Sequence, residues 1–117
     1  MDKFTIAYVE AALWSSTDES NEQGGDPLDA NYGIEDIASE TMANILNDCK
    51  AFQESHAEDI GSNHEQAGHD FALTRNRHGA GFWDGDWPDD VGVRLTESSH
   101  AFGSVDLSVG DDGLIYS

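Results

Sequence analysis

Most of the carboxylates in this chain can have no basic partner, because 24 Asp and Glu face only five Lys and Arg. Unpaired charges are rarely buried. Any fold must therefore set most of its acids in water and build a core from what lies between them. The acids are interspersed with apolar residues in periodic segments, with no run of five or six, and this describes a folded acidic surface rather than a disordered tail. Residues 1–60 hold 14 acids and two bases, a net of −12, and residues 61–117 hold ten acids and three bases, a net of −7. The same imbalance excludes direct binding to nucleic-acid phosphates, which needs Lys and Arg to release counterions, and disfavours a membrane partner with an anionic surface. No apolar run approaches the roughly 20 residues of a spanning helix, and no charged-then-apolar leader opens the chain. The lone Cys49 excludes an internal disulfide framework and a Cys-rich zinc site. A soluble, intracellular protein is expected, with one domain over residues 1–117.

Periodicity predicts the elements. Residues 3–15 read as a helix, with Phe4, Tyr8 and Ala11 on one stripe and Ile6, Val9 and Leu13 on a second. A helix apolar around so much of its circumference is usually well buried. Residues 16–33 lack apolar periodicity, and Gly24, Gly25 and Pro27 mark a long loop. A short helical turn is expected at 34–37. The main helix follows over about 40–57, capped by Ser39, with Met42, Ile45, Leu46, Cys49 and Phe52 as its core stripe. Residues 61–68 read as a polar connection. Phe71 and Leu73 alternate with Ala72 and Thr74, which predicts a strand, a turn over 75–81 and a returning strand at Phe82 and Trp83. Val91, Leu95 and Phe102 lie on one helical stripe. Val105, Leu107 and Val109 alternate with polar residues, and the turn at Gly110, Asp111, Asp112 and Gly113 leads into a last strand at 114–116. The expected class is α+β, in the order helix, loop, helix, hairpin, helix, hairpin. The N-terminal helices, in a mainly helical acidic part over 1–60, would pack on a small antiparallel sheet formed within 69–117.

Motifs that carry chemistry are weak. His64 and His69 resemble a zinc-protease helix, but the spacing is i, i+5 where two ligands on one face need i, i+4, and Gly68 weakens a helix. Asp84, Asp86, Asp89 and Asp90 resemble part of a calcium loop without its alternation or closing Glu. No metal, cofactor or catalytic group is assigned, and Cys49 on the core stripe reads as an inert thiol. An enzyme is not expected. Arg75 and Arg77 sit beside the densest aromatic cluster, which includes Trp83 and Trp87. The structural reading makes these arginines internal ion-pair partners, and the functional one makes the group a basic-aromatic contact site.

From residue 67 onward, Ala-Gly-His-Asp-Phe-Ala-Leu-Thr-Arg-Asn-Arg-His-Gly-Ala-Gly-Phe-Trp-Asp and Val-Gly-Asp-Asp-Gly-Leu-Ile-Tyr resemble a family of short proteins found mainly in bacteriophages and related mobile elements. Ala11 to Ser16 and Pro27 to Asp29 match as well, so the resemblance covers most of the chain. Ala72 departs from it, standing where a larger aromatic is expected. The resemblance brings no activity with it. It implies a setting, a viral or plasmid accessory protein in the host bacterial cytoplasm.

Acidity and setting together suggest an inhibitor that imitates DNA in the site of a host nucleic-acid-binding protein such as a nuclease, a restriction enzyme or a CRISPR-type defence complex. The alternative is a protein–protein adaptor or structural accessory that uses Trp83 and Trp87, expected to be exposed, with the 16–33 loop. General acidity for solubility is the plainest reading. A chain of this mass exposes on the order of 6,000 Å², so 19 net charges spread evenly give one per roughly 300 Å². B-DNA carries one per roughly 100 Å². If most acids lie on one half of the surface the densities converge, so mimicry requires segregated acids. The expected face comprises Asp18, Glu19, Glu22, Asp26, Asp29, Glu35, Asp36, Glu40, Asp48, Glu54, Glu58 and Asp59.

Overall fold

The computed structural model describes residues 1–18, 25–84 and 86–117. Glu19 and Glu22 of the expected acidic face, and Gly85, lie outside the described residues. The elements in order are α1 (Lys3–Ser15), β1 (Thr17–Asp18), β2 (Asp26–Pro27), 3₁₀ turns at Leu28–Ala30 and Ile34–Asp36, α2 (Ser39–Ser55), α3 (Ala57–Ile60), α4 (His64–Arg75), α5 (Asp89–Phe102), β3 (Ser108–Val109) and β4 (Ile115–Tyr116). The architecture is mostly helical, with two small antiparallel sheets, and is broadly α+β.

α1 starts where Asp2 accepts a hydrogen bond from the Thr5 amide at 2.8 Å, which satisfies one of the open donors of the first turn. It buries Phe4, Thr5, Tyr8, Val9, Ala11, Ala12 and Leu13, while Ile6 and Trp14 are exposed. α2 begins at Ser39 with Ala38 at the capping position, so Ser39 is the first helical residue rather than the cap. Ile45, Cys49 and Phe52 are buried on α2, Met42 is half-buried and Leu46 is exposed.

The expected hairpin over 69–83 is a helix and a loop instead. Residues 71–75 of α4 are all buried in succession. A half-buried strand would expose every second residue. α4 is instead covered on several sides, and burial all round erases the 3.6-residue signal. Its partner is α1. A Cβ on Gly68 would lie 2.0 Å from the Phe4 carbonyl oxygen, so only glycine lets the two backbones approach so closely. The residue that seemed to weaken a helix is the point of closest contact between two of them. Around this seam the rings of Phe4, Tyr8, Phe52, Phe71, Phe82 and Phe102 pack together, with Phe52 and Phe71 stacked at 4.2 Å and Phe71 edge-on to Phe102 at 5.3 Å.

Helices do not rest on a sheet platform either. β1 pairs with β2 and β3 with β4, each antiparallel over two residues. Two residues span only about 7 Å, too little to floor a helix. The second hairpin forms where expected, closed by the Gly110 amide donating to the Leu114 carbonyl at 2.8 Å. It docks on the start of α2 through an Ile37–Ile115 bridge and the Ala38 amide donating to the Ile115 carbonyl at 2.9 Å.

Candidate functional site

All five cations lie among the described residues, and three of them are paired with carboxylates. Arg75 ends α4 with its side chain fully buried. Its Nη1 donates to Asp48 Oδ2 at 2.9 Å and to the Tyr8 hydroxyl at 3.1 Å, Nε donates to the Gly103 carbonyl at 2.8 Å, and Nη2 donates to the Phe102 carbonyl at 3.2 Å. The guanidinium also lies 5.2 Å from the Phe71 ring centre and 5.8 Å from that of Phe102. This arginine ties α1, α2, α4 and the end of α5 together, and it offers nothing to a ligand. Burial pushes the Tyr8 hydroxyl up to about 12, against the lowering effect of Arg75. Burial likewise pushes the Cys49 thiol up to about 12, so this cysteine is a poor nucleophile.

Arg94 clamps α3 to α5 from outside. Its Nη2 and Nε donate to the two carboxylate oxygens of Asp59 at 2.7 and 3.2 Å, and Nη1 reaches Asp90 at 3.4 Å. The Arg94 bonds hold the Asp59 carboxyl below its ordinary range. Lys50 reaches Glu54 at 4.0 Å across an exposed turn of α2. Arg77 is exposed and left-handed at φ 54°, the residue after the α4 cap, with the amides of Arg77 and His78 turned back to the carbonyls of Thr74 and Leu73. Among the described residues, Lys3 and Arg77 are the cations without an ion pair.

The expected acidic residues are not all exposed. Asp18 is buried. Asp48 is held by Arg75 and Asp59 by Arg94. Several of the others stand near the two ends of α2. At its start stand Glu35 and Asp36 of the second 3₁₀ turn, Glu40 in the first turn of α2, and Asp111 and Asp112 in the turn of the docked β3–β4 hairpin. Tyr116 donates to Asp112, and this bond lowers the Asp112 carboxyl. At the far end stand Glu54, Glu58 and Asp59, with Asp90 brought beside them by Arg94. Glu40 and Glu54 are 14 residues apart, about 21 Å along the helix. Asp26 and Asp29 are exposed on β2 and the first 3₁₀ turn. Glu19 and Glu22 lie outside the described residues.

The two tryptophans part company. Trp87, expected to be exposed, is 6 % exposed, and its indole N–H donates to the buried Asp70 carboxyl at 2.8 Å. An indole can be buried here because its one polar atom finds an acceptor. Trp83 is 48 % exposed. Its ring lies over Gly81, where a Cβ would come within 2.8 Å of it. It forms one wall of a cavity of about 420 Å³ whose other lining residues are Phe82, Trp87, Asp89, Gly92, Val93, Thr96 and Glu97. This cavity was not foreseen from the sequence, although Asp89, Val93 and Glu97 recur every four residues and so define one stripe of α5.

His64 and His69 are both exposed on α4. Among the described residues no three His, Cys, Asp or Glu side chains are placed to hold a metal ion, and no helix is long and apolar enough to cross a membrane. Comparison of the chain with protein-family models, with curated proteins and with solved structures finds no match.

Proposed function

We propose that this chain is a phage-type accessory protein of the host bacterial cytoplasm that occupies the nucleic-acid groove of a basic host enzyme by imitating the charge of DNA. The reading assigns it no catalytic step, metal or cofactor. The observation that carries it is linear charge density. The molecule measures 43 × 25 × 21 Å, and a length of 43 Å shared by 19 net charges gives one charge per about 2.3 Å. B-DNA carries one per about 1.7 Å of axis. The accessible surface of 6540 Å² divided by the same 19 charges gives one per about 340 Å², still about threefold more dilute than the duplex. The two comparisons differ because accessible area follows every corrugation and both ends of the body, whereas a groove that tracks a rod meets charge per unit length. Pairing of Lys50, Arg75 and Arg94 with carboxylates of the chain favours the reading further, since among the described residues only Lys3 and Arg77 are left as unpaired cations to repel a basic groove.

Titration of the protein into restriction and recombination nucleases holding a labelled DNA duplex tests this. Displacement of the duplex at low salt, fading as salt rises, is expected. Retention of the duplex by every enzyme of the panel would refute it. The alternative is an adaptor that binds through its exposed aromatic surface without mimicry. The cavity at Trp83 favours it, and its signature is binding that survives moderate salt and is lost on Trp83→Ala.

A further inference from the structure

The cavity beside Trp83 has a composition that selects its occupant. Two stripes of α5 line it, Asp89, Val93 and Glu97 on one and Gly92 and Thr96 on the other. The backbones close in because Gly92 has no side chain, and a Cβ there would lie 2.9 Å from the Phe82 carbonyl oxygen. The middle of the groove is apolar, with Val93 57 % and Trp83 48 % exposed. Its two ends are the carboxylates of Asp89 and Glu97, eight residues or about 12 Å apart. That separation is too great for both to ligate one metal ion. The Thr96 Oγ1 atom is buried and has no hydrogen-bond partner, although a helical threonine can bond back to the carbonyl four residues earlier.

We infer that this groove receives an arginine side chain from a basic segment of a partner protein. The aliphatic stem of arginine would cover Val93, and its planar guanidinium would stack on Trp83. Its several N–H donors would pair with the Glu97 carboxylate at one end of the groove. A wholly apolar occupant would cover the Asp89 and Glu97 carboxylates without pairing them. A phosphate or other anion would meet two carboxylates. Lysine supplies the charge but neither the plane nor the fork. The inference takes its class of partner, a basic protein, from the proposed function. Its test uses no DNA, so charge mimicry and the arginine site can fail separately.

The probe is the capped pentapeptide Gly-Ser-Arg-Ser-Gly, titrated into the ¹⁵N-labelled full-length protein at low salt. Saturable shifts are expected at the Trp83 indole and the Val93 and Thr96 amides. The lysine analogue should bind several-fold more weakly and the glutamine analogue not measurably. Trp83→Ala and Glu97→Gln should each weaken binding about tenfold. Val93→Lys, at an exposed position that the fold tolerates, should abolish it by placing a competing cation in the groove. Glu40→Gln, in the first turn of α2 and outside the groove lining, should change it less than twofold. Equal losses in Glu40→Gln and Glu97→Gln would reduce the binding to diffuse attraction between opposite charges and overturn the inference. So would peptide binding that is unaffected by Trp83→Ala and Val93→Lys, or a glutamine peptide that binds as well as the arginine one.

Discussion

The seam between α1 and α4 and the outer side of α5 each depend on one arginine, and the two arginines do opposite things. At the seam, Arg75 is swallowed by the core and satisfied by one carboxylate, one hydroxyl and two carbonyls. On α5, Arg94 is half exposed and meets carboxylates alone. In a chain with so few cations the first fixes the fold, while the second gathers acids from α3 and α5 into one end of the charged surface. The seam is therefore sensitive to shape and hydrogen-bond completeness, and the α5 side to pH and salt.

Arg75→Met should break this contrast most sharply. It strips the buried Tyr8 hydroxyl and the Phe102 and Gly103 carbonyls of their donor and leaves Asp48 unpaired, at a cost of about 3–5 kcal/mol by analogy with broken buried pairs. Urea denaturation of the variant measures it, and a cost below about 1 kcal/mol would show that water replaces the guanidinium freely. Gly68→Ala should come next. The new methyl must push α1 and α4 apart, and overpacking of this kind costs about 1–3 kcal/mol, readable as a lower urea midpoint. Trp87→Phe keeps the ring against Phe82 but removes the donor to Asp70, and should cost about 1–2 kcal/mol in the same assay.

Arg94→Gln should have the smallest effect at neutral pH, since exposed pairs contribute little and salt screens them. Its effect lies in the pH profile. Asp59 has a folded pKa below its unfolded value of about 3.9. The stability it confers is therefore present above that unfolded value and is lost as pH falls through the lower folded one. Denaturant midpoints of wild type and Arg94→Gln should converge below about pH 3 and separate above about pH 4. Parallel curves across that interval would mean that the clamp contributes nothing to stability.

The contrast between these regions also explains what could be read in the sequence. α1, α2 and α5 follow from their apolar spacing, and the β3–β4 hairpin follows from Gly110, Asp111, Asp112 and Gly113 at its turn. α4 does not, because every residue from Asp70 to Arg75 is buried and that stretch leaves no exposed position to mark the period. The internal role of Arg75 was legible as an ion-pair partner in an acidic chain. Its carbonyl and hydroxyl partners were not, since they come from 27, 28 and 67 residues away. Trp87 and Trp83 look alike in sequence and separate only because Asp70 is within reach of one indole. The acids could be counted but not placed, and Asp18, buried in a two-residue strand, shows how little a carboxylate's neighbours in sequence disclose about its surroundings.

Charge imitation is tested most directly by measuring how the apparent Kd of a nuclease for its duplex changes as this protein is added. If the protein takes the place of DNA, the apparent Kd rises in proportion to its concentration without limit, and excess duplex restores binding in full. A rise that levels off, with enzyme, duplex and this protein together in one complex, would contradict imitation of DNA.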